Sequence, residues 1–77
     1  MDETLKAACI RDLKLYVGDE IRMARLRRRM SQRDLAAACG ITPAALCKIE
    51  RGETDVKLST LAILRSALIL DFTVKPL

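Results

Sequence analysis

Ser31-Gln32-Arg33-Asp34-Leu35-Ala36-Ala37-Ala38-Cys39-Gly40-Ile41-Thr42-Pro43-Ala44-Ala45-Leu46-Cys47-Lys48-Ile49-Glu50-Arg51-Gly52 is the stretch whose reading decides the fold. Ser31 with Asp34 three residues on has the form of a capping box, in which side chain and backbone satisfy each other at a helix start. Leu35 to Cys39 continue that helix, and Gly40 is placed to stop it with a positive φ. Thr42 caps the next helix, and Pro43 suits its first turn because the missing N–H has no partner there anyway. That helix runs from Pro43 to about Arg51, with Leu46 and Ile49 inward and Gly52 at its end.

Two short helices around Gly40-Ile41-Thr42 have the pattern of a helix-turn-helix. Ala36 and Ala37 are small where the two helices must cross. In such units the second helix enters the DNA major groove and the first lies across the backbone.

Outward from this unit, Asp2 to Tyr16 reads as a helix with Leu5, Cys9, Leu13 and Val17 on one face. Gly18 is placed to end it and Asp19 to cap a second helix, Ile21 to Met30; one long bent helix stays open as an alternative. Leu58, Leu61, Leu64 and Leu68 mark a last helix. Leu70, Phe72 and Val74 then alternate with Asp71, Thr73 and Lys75, which reads as a β-strand ending at Pro76. The expected fold is all-α: a five-helix bundle with a helix-turn-helix, plus a short C-terminal strand.

The chain has 77 residues and a net charge of +4. It reads as one domain: an N-terminal helix at 1–17, a core at 18–68 and a strand at 69–77. A chain this short buries only about 60% of its unfolded surface, so a partner chain is expected. The charge is uneven. Residues 1–20 carry three basic and five acidic groups, residues 21–51 eight basic and two acidic, and residues 52–77 three of each. Arg22, Arg25, Arg27, Arg28, Arg29 and Arg33 fall within thirteen residues that hold no acid, the footprint of a polyanion-binding face. Without His, and with three isolated Cys, there is no zinc-ligand spacing, no His-based acid–base pair and no disulfide framework. No catalytic residue, metal or cofactor is expected, nor a membrane span or signal peptide, and the expected compartment is the cytoplasm. Cys9 and Cys39 read as small core residues, whereas Cys47 is a thiol at the groove-facing helix where redox sensing stays open.

Ile21-Arg22, Arg25, Ser31 through Ala36, Gly40-Ile41-Thr42, Leu46 and Lys48 through Gly52 resemble the phage-repressor/Cro (Xre-like) helix-turn-helix family. The likeness extends through Leu58, Leu61, Leu64, Ala67 and Leu68, and so covers residues 18–68. It implies a double-stranded DNA-binding regulator, with repression as the expected mode. By the same resemblance, Gln32 bonds a DNA phosphate and braces a base-reading side chain, while Arg25 and Glu50 form a structural ion pair. Thr42, Pro43, Ala44, Cys47 and Lys48 take the groove-facing positions. Arg27, Arg28, Arg29, Arg33 and Arg51 are candidates for phosphates. The sequence departs from the family where Gln, Ser or Asn often stand: Pro43 and Ala44 offer only apolar contact, for example to a thymine methyl, and Lys48 alone can donate to guanine. Phosphate contacts and DNA shape must then carry more of the recognition.

A lone strand has no ladder partner within the chain, so Leu70, Phe72 and Val74 are expected to pair with a second copy in a homodimer reading a palindrome. A strand placed there resembles that of Hip-type antitoxins, so a toxin protein stays open as a further partner. Alternatives to a repressor are an antitoxin, a restriction–modification controller, or a protein-interaction module without specific DNA binding.

Overall fold

The computed structural model describes the backbone of residues 1–72 and the side-chain surroundings of residues 1–69. Four helices follow one another: α1 (Glu3–Arg27), α2 (Gln32–Cys39), α3 (Pro43–Glu50) and α4 (Leu58–Phe72). The start signals read from the sequence operate as written. Asp34 N donates to Ser31 Oγ at 2.9 Å, and Ser31 N donates back to Asp34 Oδ2 at 3.0 Å. These bonds hold the Asp34 carboxyl below its ordinary pKa, the backbone bond contributing most. A folded-state value below the unfolded one makes the cap stabilising at neutral pH, and acidification through the lowered value removes that contribution. Thr42 Oγ1 accepts from Ala45 N at 3.0 Å, and Pro43 fills the first turn of α3.

Three of the helices end by one hydrogen-bond scheme. Arg29, Gly40 and Gly52 take φ of 56°, 70° and 72°. At each end one N–H reaches back five residues, Met30 to Arg25 O, Ile41 to Ala36 O and Glu53 to Lys48 O, as in a Schellman motif. Two of the three left-handed positions are glycine, and the third is an arginine.

The core is small: Ile21 from α1, Leu35 and Ala36 from α2, Leu46 and Ile49 from α3, Leu64 and Leu68 from α4. Leu35, Leu46 and Leu64 are fully buried. Helix α3 packs on α1 and α2, and α4 packs on α2 and α1. Lys14 Nζ bonds Asp55 Oδ1 at 3.1 Å and ties α1 to the α3–α4 loop.

The expected five helices and C-terminal strand give way to four helices, with no strand among the described residues. Gly18 does not stop a helix; α1 runs through it for 25 residues. A Cβ built on Gly18 would lie 2.4 Å from Ile49 O and 2.7 Å from Glu50 O. The glycine is there because the C-terminal carbonyls of α3 press against α1. At the other end, the backbone of Leu70 and Phe72 continues α4, while Val74 lies outside the described residues. Propagating a formed helix adds one hydrogen bond per residue ordered, whereas an isolated strand has no ladder to join. The inward face expected for the first helix is also corrected: Leu5, Cys9 and Leu13 are exposed, and only Val17 packs against the core. Ile10 and Leu13 border only a shallow groove against Val56, Leu58 and Leu61 and stay about half exposed or more.

Replacing Gly18 by Ala should lower the unfolding free energy by about 1–3 kcal/mol, because overpacking against backbone outweighs the gain in helix propensity. Thermal unfolding measures it, and a stabilised variant would show that α1 and α3 separate freely.

Candidate nucleic-acid interface

The site begins at a buried ion pair. Arg25 Nε donates to Glu50 Oε2 at 2.7 Å and Arg25 Nη2 to Glu50 Oε1 at 2.9 Å, a bidentate fork between α1 and the last residue of α3. Only 8% of Arg25 and 7% of Glu50 remain exposed, so each charge depends on the other for solvation. Arg25 Nη1 donates to Met30 O at 2.9 Å, which fixes the turn into α2. The Arg25 pKa is raised, first by the hydrogen bond to Glu50, with burial working against it. Gln32 Nε2 donates to Glu50 Oε1 at 3.0 Å, so the first residue of α2 joins the same group. The resemblance assigned Arg25 and Glu50 to an ion pair; the structure forms it and couples Gln32 to it.

This network fixes the orientation of α3 from its C-terminal end. One face of α3 is left outward. Thr42, Pro43, Ala44 and Lys48 are exposed and Cys47 is half-buried. Pro43 and Cys47, like Ala44 and Lys48, stand four residues apart, so the four form one continuous strip on the helix. Thr42, Ala44 and Lys48 also line a cleft of about 480 Å³ between α3 and the following loop. Across that cleft stand Thr54, Asp55, Lys57 and Thr60. Lys57 and the two threonines were not singled out from the sequence. Only the polar character of residues 53–56 and the single cation after them hinted at a second wall.

Arg33 on α2, Arg51 after α3, and Arg27 and Arg29 at the end of α1 are exposed cations around this helix pair. Arg28 stands apart from them. It is half-buried, its Nη1 donates to Ala24 O at 2.8 Å, and it borders a groove between α1 and α4 with Tyr16, Leu61, Arg65 and Leu68.

The cysteines divide by position. Cys9 is exposed on α1, which overturns its assignment to the core. Cys39 is half-buried, its thiol 4.0 Å from Ile63 O, and burial pushes its pKa up. Among the described residues no group of His, Cys, Asp or Glu could hold a metal ion, and no helix is long and apolar enough to cross a membrane.

Comparison with known proteins agrees with this architecture. The model of the helix-turn-helix family matches residues 21–74. An uncharacterized HTH-type transcriptional regulator, y4dL of Sinorhizobium fredii, is 34% identical over 61 residues, 79% of this chain and 31% of that protein. Control protein C.SmaI of Serratia marcescens is 37% identical over 60 residues, 78% of this chain and 71% of that protein. The chain thus corresponds to under a third of the first relative and to most of the second. No solved structure matches it. With its caps, its turn and its Arg25–Glu50 brace in place, the chain belongs to the helix-turn-helix family of the phage-repressor/Cro (Xre-like) type.

Proposed function

We propose that this chain is a DNA-binding transcriptional regulator that acts as a homodimer on a palindromic operator, with repression as its basic mode. The observation that carries the reading is the outward strip Pro43, Ala44, Cys47 and Lys48, held in place through Glu50 by Arg25 and Gln32. Arg33, Arg51, Arg29 and Lys57 frame it with positive charge suited to phosphates. Gln32 stands at the start of α2, where the amide N–H that Glu50 does not use, and the helix N-terminus, are donors suited to a phosphate. The relatives named as a transcriptional regulator and a control protein favour this reading. Titrating the whole chain against duplexes enriched from a random pool, at two salt concentrations, tests it. A shared sequence with steeply salt-dependent binding is expected, and equal binding to all duplexes would overturn sequence-specific regulation.

A restriction–modification controller is the second reading, and the likeness to a control protein over 71% of that protein's length favours it. The antitoxin reading has lost its C-terminal strand and keeps no specific support.

For the dimer, the support moves from a strand to helix surface. Leu5, Ile10, Leu13, Tyr16 and Leu58 are each about half exposed or more. Helix α1 is also divided in charge. Its N-terminal part carries Glu3, Asp12, Asp19 and Glu20 against Lys6, Arg11 and Lys14, whereas Arg22, Arg25, Arg27 and the following Arg28 and Arg29 have no acid among them. Two copies of α1 laid antiparallel set the nearly neutral half of each against the basic half of the other and keep the two basic ends apart, which a two-fold interface tolerates. Leu70 and Phe72 stay candidates for this interface as helix residues rather than strand residues.

Arg29 offers a test in which stability and binding part ways. A non-glycine residue in the left-handed region costs about 1–2 kcal/mol. Arg29→Gly should therefore raise the unfolding free energy by about 1 kcal/mol and at the same time weaken duplex binding severalfold. Stabilisation without loss of binding would remove Arg29 from the interface. Leu13→Asp should give a folded monomer by sedimentation and circular dichroism, with weaker operator binding; a persistent dimer would place the interface elsewhere.

A further inference from the structure

We infer that α3 reads the C5-methyl groups of pyrimidines, so that the ligand feature setting its specificity is thymine or 5-methylcytosine as against uracil or cytosine. The inference rests on the DNA-binding reading above. Polar base edges are matched in the major groove by side chains with paired donors and acceptors. The outward strip of α3 has none of these. Pro43 has neither a side-chain polar atom nor an N–H, and exposed Ala44 ends in a methyl. Thr42 Oγ1 accepts the cap bond from Ala45 N at 3.0 Å, so its hydroxyl is oriented by the helix start and offers a single O–H donor, not the paired donor and acceptor of an amide. Cys47 is half-buried and a weak hydrogen-bonding group.

The major-groove edge carries one apolar feature, the methyl at C5 of thymine, and a 5-methylcytosine displays the same group at the same place. Apolar contact there excludes water from two methyl surfaces and leaves no side-chain polar atom unpaired. Lys48 supplies the complementary element. It stands one turn beyond Ala44 on the same face, and a helix turn of about 5.4 Å spans roughly one and a half base steps of 3.4 Å. A guanine accepting from Lys48 therefore lies within one or two steps of a methyl against Ala44. Cytosine methylation within such an operator strengthens binding instead of blocking it, because the groove-facing surface gains a partner rather than a clash.

The test uses the whole chain and the duplex enriched from a random pool. Deoxyuridine replaces each thymidine in turn, which removes the methyl and leaves base pairing intact. At one or two positions per half-site affinity should fall about four-fold, the value of one buried methyl-sized group. At those positions deoxycytidine should bind more weakly still, and 5-methyldeoxycytidine should recover part of the loss. Ala44→Ser, a change tolerated near a helix start, should keep the helical content and bring the thymidine-to-deoxyuridine ratio close to one. An enriched duplex that holds its affinity through every deoxyuridine replacement would overturn methyl reading and leave DNA binding intact. Failure to enrich any duplex would overturn the DNA-binding reading beneath it.

Discussion

The Glu50 carboxylate is the point through which the arrangement is organised. It takes two bonds from Arg25 and one from Gln32, and so holds α1, the end of α3 and the start of α2 at fixed distances. Neither charge has enough water around it to stand alone. With a core of seven buried apolar residues among the described ones, hydrophobic packing by itself leaves some freedom in how the short helices are set. A directional fork removes that freedom where it matters, behind the outward strip of α3. Arg25 also holds Met30 O, so one guanidinium shapes the turn before α2 and the seat of α3 together.

The parts of the fold governed by local chemistry were legible in the sequence. The capping box at Ser31, the Thr42-Pro43 start, and Gly40 as a left-handed stop are decided within five or six residues, and each formed as read. Gly18 and Arg29 were not legible in that way. A glycine signals either a helix end or a close approach, and only the carbonyls of Ile49 and Glu50, distant in sequence, decide between them. Arg29 carries no mark of its left-handed conformation, because the Schellman end of α1 is imposed by Arg25 and Met30.

The alternation at Leu70 and Phe72 was misread for a related reason. A period of two over so few residues does not compete with a helix already running from Leu58, and the preceding frame of Leu61, Leu64 and Leu68 sets the conformation that Leu70 and Phe72 inherit. In the site, Gln32, Glu50 and the α3 positions followed from the motif. Lys57 and Thr54 did not, since they join the cleft only through the fold of the loop. Arg28 sat in an arginine run and looked like its neighbours, but its place on the helix turns it toward α4.

Gly18 has a mechanical consequence. With α1 and α3 in backbone contact there, and Arg25 clasping Glu50 two turns further along, the two helices have no room to slide or hinge. The first four turns of α1 run on from that clasp, tied at Lys14 to Asp55 in the α3–α4 loop, as a handle on α3. Whatever grips the handle swings α3 with it through the same angle, without slack. In the proposed dimer, joined through α1, the spacing between the two copies of α3 would be a fixed span, and a binding sequence with one base pair inserted at its centre would meet a gauge that does not stretch.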